Sequence, residues 1–154
     1  MKTTYRVLAF LVAAEVVIQA AAIAYAVFGL GKYIDDGAVV DKATQESGVT
    51  FEGVIGFIVH GINGEMVIPL IALILFVVSF FAKIRGGVLW AGILLGLVVL
   101  QVLLGFFAHE VPFLGAIHGL NALAVFTVAF MAGMRARSGA AVTASTTPAD
   151  RATV

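Results

Sequence analysis

The chain contains three histidines, and two of them stand in the same short pattern. His60-Gly61-Ile62-Asn63-Gly64 and His118-Gly119-Leu120-Asn121-Ala122 both read histidine, glycine, aliphatic, asparagine, small residue. An imidazole can bind a metal through a ring nitrogen, carry a proton near neutral pH, or serve as donor and acceptor at once. An asparagine three positions on lies on the same helical face, where it can orient a ring or bond to a neighbouring helix. A second echo precedes the first: Val16-Val17-Ile18-Gln19 and Val98-Val99-Leu100-Gln101. The order is therefore a Gln-bearing segment followed by a His-bearing segment, twice. That is the pattern of a duplicated helical hairpin with something held between two equivalent histidines.

The segments that must position these residues are apolar. Of 154 residues, 62% are hydrophobic and only 12% charged, whereas an ordinary soluble domain carries about 25% charged residues. Mean hydropathy is +1.11. Long apolar runs extend over about 7–30, 53–82, 88–108 and 113–134, each near or above the ~20 residues that cross a bilayer as a helix. The expected fold is an all-α, polytopic membrane four-helix bundle over residues 1–137, made of two repeated hairpins. From Ser138 to Val154 the Ala/Thr/Ser/Pro composition reads as a disordered cytoplasmic tail. Cysteine is absent, which excludes disulfides, thiolate metal sites and a cysteine nucleophile. No basic patch exists beyond the residues flanking the runs, so nucleic acid is not an expected partner.

The first run begins after Lys2 and Arg6 but is too long for a signal peptide, and its match to the third run makes it a retained helix. Gln19 and His60 are 41 positions apart, Gln101 and His118 only 17. Residues 31–52, rich in Asp and Glu, are thus an insertion of about 24 residues into the first unit. Pro69 interrupts the second run, where its missing N–H opens a backbone hydrogen bond and should kink the helix. Pro112 is placed to open the fourth helix. Lys2, Arg6, Lys83, Arg85, Arg135 and Arg137 flank one side of the bundle, with only Lys32 and Lys42 on the other. The positive-inside rule then sets both termini in the cytoplasm of a multi-pass cell-membrane protein and the acidic loop outside.

His60 lies seven residues past Gly53 and His118 six past Pro112, which puts both about 9–10 Å inside the outer helix ends. Helices connected in sequence order place the second and fourth on a diagonal. Neighbours about 8–10 Å apart leave no room for a flat macrocycle, but the diagonal does, with an imidazole on each face. The donors suit haem b, with His60 and His118 as metal ligands. Gly53, Gly56, His60 and Gly64 share one face, and Gly115 and Ala122 flank His118. Two readings of these small residues compete: room for a macrocycle, or close helix approach in the membrane. Asn63 and Asn121 likewise fit two roles, as orienters of the ligands or as interhelical hydrogen bonds.

At this point the chain resembles heme A synthase. Val98-Val99-Leu100-Gln101-Val102-Leu103-Leu104-Gly105, followed by Ala116-Ile117-His118 early in the next helix, looks like the four-helix unit of that family. The resemblance covers most of residues 5–136 as architecture and implies a haem held by histidines of the second and fourth helices. The family has two such units and this chain one. Where the family's catalytic unit carries a glutamate one turn before its first histidine, this chain has Phe57. The outer-loop cysteine pair of many members is also missing. The resemblance therefore implies a one-unit b-type membrane cytochrome, serving electron transfer or haem handling rather than haem oxidation.

Other polar residues remain open at this level. Glu15 stands mid-helix where the third run has Leu97, either as a proton-moving group or as a hydrogen-bonded structural one. Glu65 projects to another face than His60, and His109 stands at the outer end of the third helix. Gln19 and Gln101 favour symmetric interhelical hydrogen bonds. The expected surroundings are membrane lipid and a redox partner, a quinone or another subunit, with a homo-oligomer left open. The rival reading is a non-redox accessory subunit without cofactor. A copper site built from His60, His109 and His118 is a third, since imidazole suits copper as well as iron.

Overall fold

The computed structural model describes residues 1–144, the side chains of Gln45 and of positions beyond Ala136 excepted. Among them all regular structure is helical: α1 (Lys2–Asp35), α2 (Lys42–Glu46), α3 (Val54–Ile62), α4 (Ile68–Ser79), α5 (Gly87–Ala108) and α6 (Phe113–Ala144). A π-helical stretch, Asn63–Val67, joins α3 to α4. Four helices are long and apolar enough to cross a membrane: Lys2–Asp35, Val54–Ser79, Gly87–Ala108 and Phe113–Ala136. The helix at the C-terminal end extends to Ala144, and residues 145–154, most of the expected tail from Ser138, lie outside the described ones. The helix at the N-terminal end also overruns its apolar stretch on both sides, reaching Asp35, where the chain turns at Gly37 with φ 96°.

The spans form a closed ring in sequence order. α1 packs on α3, α4 and α6, while α5 packs on α4 and α6, so the second span lies opposite the fourth. The buried core is gathered at one end. Tyr5, Ala9 and Val12 of α1 meet Ala72 and Leu75 of α4, Ala91 and Leu94 of α5, and Val125 and Ala129 of α6. Tyr5 donates its hydroxyl proton to the Gly87 carbonyl at 3.1 Å, and the Arg135 guanidinium lies 5.0 Å from the Trp90 ring centre. At the other end the packing is pairwise. There α3 rests on α1, and packing of the second span onto α5 is carried by α4.

Glycine is what brings α1 and α3 together. A Cβ on Gly56 would stand 2.3 Å from the Ala22 carbonyl oxygen, and one on Gly53 2.6 Å from that of Tyr25. Gly53 also has φ 98°, a left-handed conformation that lets the chain leave the loop and enter α3. The loop itself carries α2, whose Asp41 carboxylate accepts from the Thr44 amide at 2.7 Å and the Thr44 hydroxyl at 2.6 Å. Those bonds hold the Asp41 carboxyl below its ordinary range, the side-chain bond having the larger effect. Ahead of Pro69, the π-helical stretch adapts the backbone where the proline lacks its N–H.

Candidate functional site

Where the packed core ends, the two repeated histidines meet. The His60 and His118 ring centres are 6.1 Å apart and the planes inclined by 56°. Each ring is held in the same way. His118 Nδ1 lies 3.0 Å from the Gln101 carbonyl oxygen, and His60 Nδ1 lies 3.2 Å from that of Gln19. A carbonyl only accepts, so Nδ1 must carry the proton in both rings and donate it. This leaves each Nε2 with its lone pair, the tautomer in which an imidazole binds a metal while its other nitrogen is anchored. Two rings sharing one metal, each through a bond of about 2.0–2.1 Å, stand about 6 Å apart centre to centre. The separation observed fits that arrangement.

Asparagine and glutamine side chains tie the rings' helices to their neighbours. Asn121 Nδ2 donates to the Leu97 carbonyl at 2.9 Å and to Gln101 Oε1 at 2.7 Å. Asn63 Nδ2 donates to Glu15 Oε2 at 2.8 Å, and Gln19 Nε2 to the His60 carbonyl at 3.0 Å. Neither asparagine touches a ring in these bonds; both join helices. The repeated glutamines do serve interhelical hydrogen bonds, as their repetition suggested. No family model, curated protein or solved structure matches the chain. Its own geometry has to carry the functional reading.

The glycines near the histidines have neighbouring helices as their contacts. Gly56 faces the Ala22 carbonyl of α1, and a Cβ on Gly64 would stand 2.6 Å from Gln19 Nε2. Gly115 has only the Ala108 methyl within reach, at 3.9 Å. None of the three is shaped by contact with the rings. Gly105 is the glycine that makes room for one, since a Cβ there would come within 3.3 Å of His118 Cε1 and 3.5 Å of its Nδ1. Its place four residues after Gln101 was the available signal. His109 is exposed at the C-terminal end of α5. Among the described residues no three His, Cys, Asp or Glu side chains gather into a metal-binding group, so His109 does not complete a three-histidine copper site. Glu65 is exposed and stands apart from the network.

Sequence reasoning missed the acceptors that matter most. The carbonyls of Gln19 and Gln101 orient the histidines, and a backbone carbonyl has no signature in a sequence. The repeated Gln residues marked the right places through their side chains, one helix over from each histidine.

Proposed function

We propose that the chain is a cell-membrane haem b protein, built from two repeated helical hairpins, that takes part in electron transfer or haem handling. The observation that carries this is the pair of imidazoles 6.1 Å apart, each with Nδ1 committed to a carbonyl and Nε2 left to ligate. Matching hydrogen bonds from the two Gln–His pairs also support descent from one duplicated hairpin. The pairwise packing of α3 on α1 at this end favours a group inserted between the hairpins over a dry core. Two imidazoles are all the protein ligands that a macrocycle with four nitrogens of its own would require. The likeness to the heme A synthase unit, the haem ligands included, belongs to this reading.

His60 and His118 would hold the iron, Gln19 and Gln101 fixing their tautomer and direction through their carbonyls. Bound haem would supply a one-electron iron couple. Phe57, where the heme A synthase family has a glutamate, offers no acid or base there, which favours electron exchange over oxidation of the haem. The redox partner would be a membrane quinone or another protein subunit. The Lys and Arg distribution supports a topology with both termini in the cytoplasm and the site toward the outer face.

The test is the absorption spectrum of protein purified from haem-replete cells. The expected result is about one low-spin b-type haem per chain. His60→Ala and His118→Ala should each give five-coordinate or haem-free protein, and His109→Ala should keep the low-spin spectrum. A folded, colourless wild-type protein would overturn the reading and leave the accessory-subunit alternative. Loss of the low-spin signal in His109→Ala, with either other variant unchanged, would mean that a different pair ligates.

A further inference from the structure

The two halves employ their asparagines differently, and one position accounts for it. Four residues before each repeated glutamine stand Glu15 in the first half and Leu97 in the second. In the second half Asn121 serves both the Leu97 carbonyl and Gln101 Oε1, so the glutamine oxygen has its donor. In the first half Asn63 donates instead to the Glu15 carboxyl, at 2.8 Å. Gln19 is only 8% exposed, and its Oε1 is buried without a hydrogen-bond partner. Turning the amide over is no remedy, because Nε2 is donating to the His60 carbonyl and an oxygen in that place would face another acceptor. A buried acceptor without a donor is unfavourable. One turn away on the same face of α1, at the spacing where side chains meet, stands a carboxyl that can carry a proton.

We propose that Glu15 is a redox-linked proton site. With a haem held by His60 and His118, its one-electron reduction would be accompanied by uptake of one proton from water by the Glu15 carboxylate, whose new O–H would donate a hydrogen bond to Gln19 Oε1. This rests on the haem reading above. The balance is one electron from a one-electron donor, a reduced quinone or redox protein, turning ferric iron ferrous, and one proton forming one O–H bond on Glu15. Negative charge added at an iron between the rings would favour proton uptake by a carboxylate of the same hydrogen-bonded layer, in a medium of low dielectric. The new O–H supplies the donor that Gln19 lacks. Other ionisable groups on the packed elements are few. α1 has none besides Glu15 between Arg6 and Tyr25, α5 has none along its length, α6 has only His118 before Arg135, and the second span has His60 and the exposed Glu65. The two histidines are occupied as ligands, which leaves Glu15 as the carboxyl inside the network.

The experiment is a spectroelectrochemical titration of the haem in the full chain, repeated over the pH range in which the protein stays folded. In the wild type the midpoint potential should fall with rising pH, by up to about 59 mV for each tenfold drop in proton concentration. Two variants remove the proton site: Glu15→Gln, a neutral isostere, and Glu15→Leu, which copies the second half and frees Asn63 for Gln19 Oε1. Each should flatten the slope, and infrared difference spectra should show a protonated-carboxyl band on reduction that both variants lose. A pH-independent wild-type potential would overturn the proposal, as would a slope preserved in either folded variant. A wild type with no Soret band would take down the haem reading and this proposal with it, an outcome distinct from an intact haem whose potential ignores pH.

Discussion

Gly105→Ala tests whether the fit around His118 is what holds the site together. The added methyl would lie 3.3 Å from Cε1 and 3.5 Å from Nδ1 of the imidazole, so the ring must retreat from α5 by a few tenths of an ångström. The hydrogen bond it strains is Nδ1 to the Gln101 carbonyl, now 3.0 Å. Losing such a bond costs about 0.5–1.5 kcal/mol, which on the haem proposal translates to binding roughly two- to twelvefold weaker. Replacing a helical glycine by alanine also favours the helix by about 1 kcal/mol, a gain that could hide the effect in a stability measurement. Gly96→Ala is the control, because it lies on the same helix with nothing within 4 Å of the added methyl. Haem titration of the two purified variants, followed by the low-spin absorption, separates the contributions. Gly96→Ala should bind as the wild type does and Gly105→Ala more weakly. Equal affinities would refute the argument that this glycine seats the ligand.

Two further outcomes follow from the packing and the charge pattern. Gly56→Leu would drive a side chain into the Ala22 carbonyl, 2.3 Å from the first added atom, and should destabilise the α1–α3 contact by about 3 kcal/mol or more; detergent-denaturant unfolding of the purified protein measures it, and unchanged stability would contradict the packing of α3 on α1. Asp36→Cys, in the exposed turn after α1, should react with a membrane-impermeant thiol reagent added outside intact cells; reaction only after permeabilisation would invert the topology.

Apolarity located the four spans but not the helix ends. The segment over 7–30 is the part of α1 suited to lipid, while the helix itself continues through Gly31, Lys32 and Tyr33 to Asp35, since helix geometry does not stop where the membrane does. Pro69 was legible as a disturbance, but its form was not. The backbone changes pitch over Asn63–Val67, ahead of the proline, because the missing donor is felt by carbonyls of the preceding turn. The histidines were legible through repetition, and their partners were half legible. Gln19 and Gln101 were marked as interhelical residues, yet their backbone oxygens, not their amides, receive the imidazole protons. Gly56 and Gly64 show what spacing leaves out. Spacing put them on the face of His60, and the structure adds that Ala22 and Gln19 of the neighbouring helix stand against them.

The division of the bundle into two ends explains why repetition survives at the histidines while Glu15 departs from it. At the core end, Tyr5, Leu75, Leu94 and Val125 are buried against one another across the spans, and a polar substitution there would face apolar neighbours on every side. At the level of Gln19 and Asn121 the contacts are hydrogen bonds between adjacent helices, which fix direction without filling space. Such a layer can hold two rings in register, because each ring depends on one carbonyl of one neighbouring helix. It can also accept a carboxyl in place of Leu97's counterpart, because Asn63 turns to meet it. What it cannot do is satisfy Gln19 Oε1 with the same asparagine. The acceptor left over in the first half is therefore a consequence of placing an acid beside one copy of a repeated motif, and it is the feature by which the two histidines, alike in anchoring, become unlike in their surroundings.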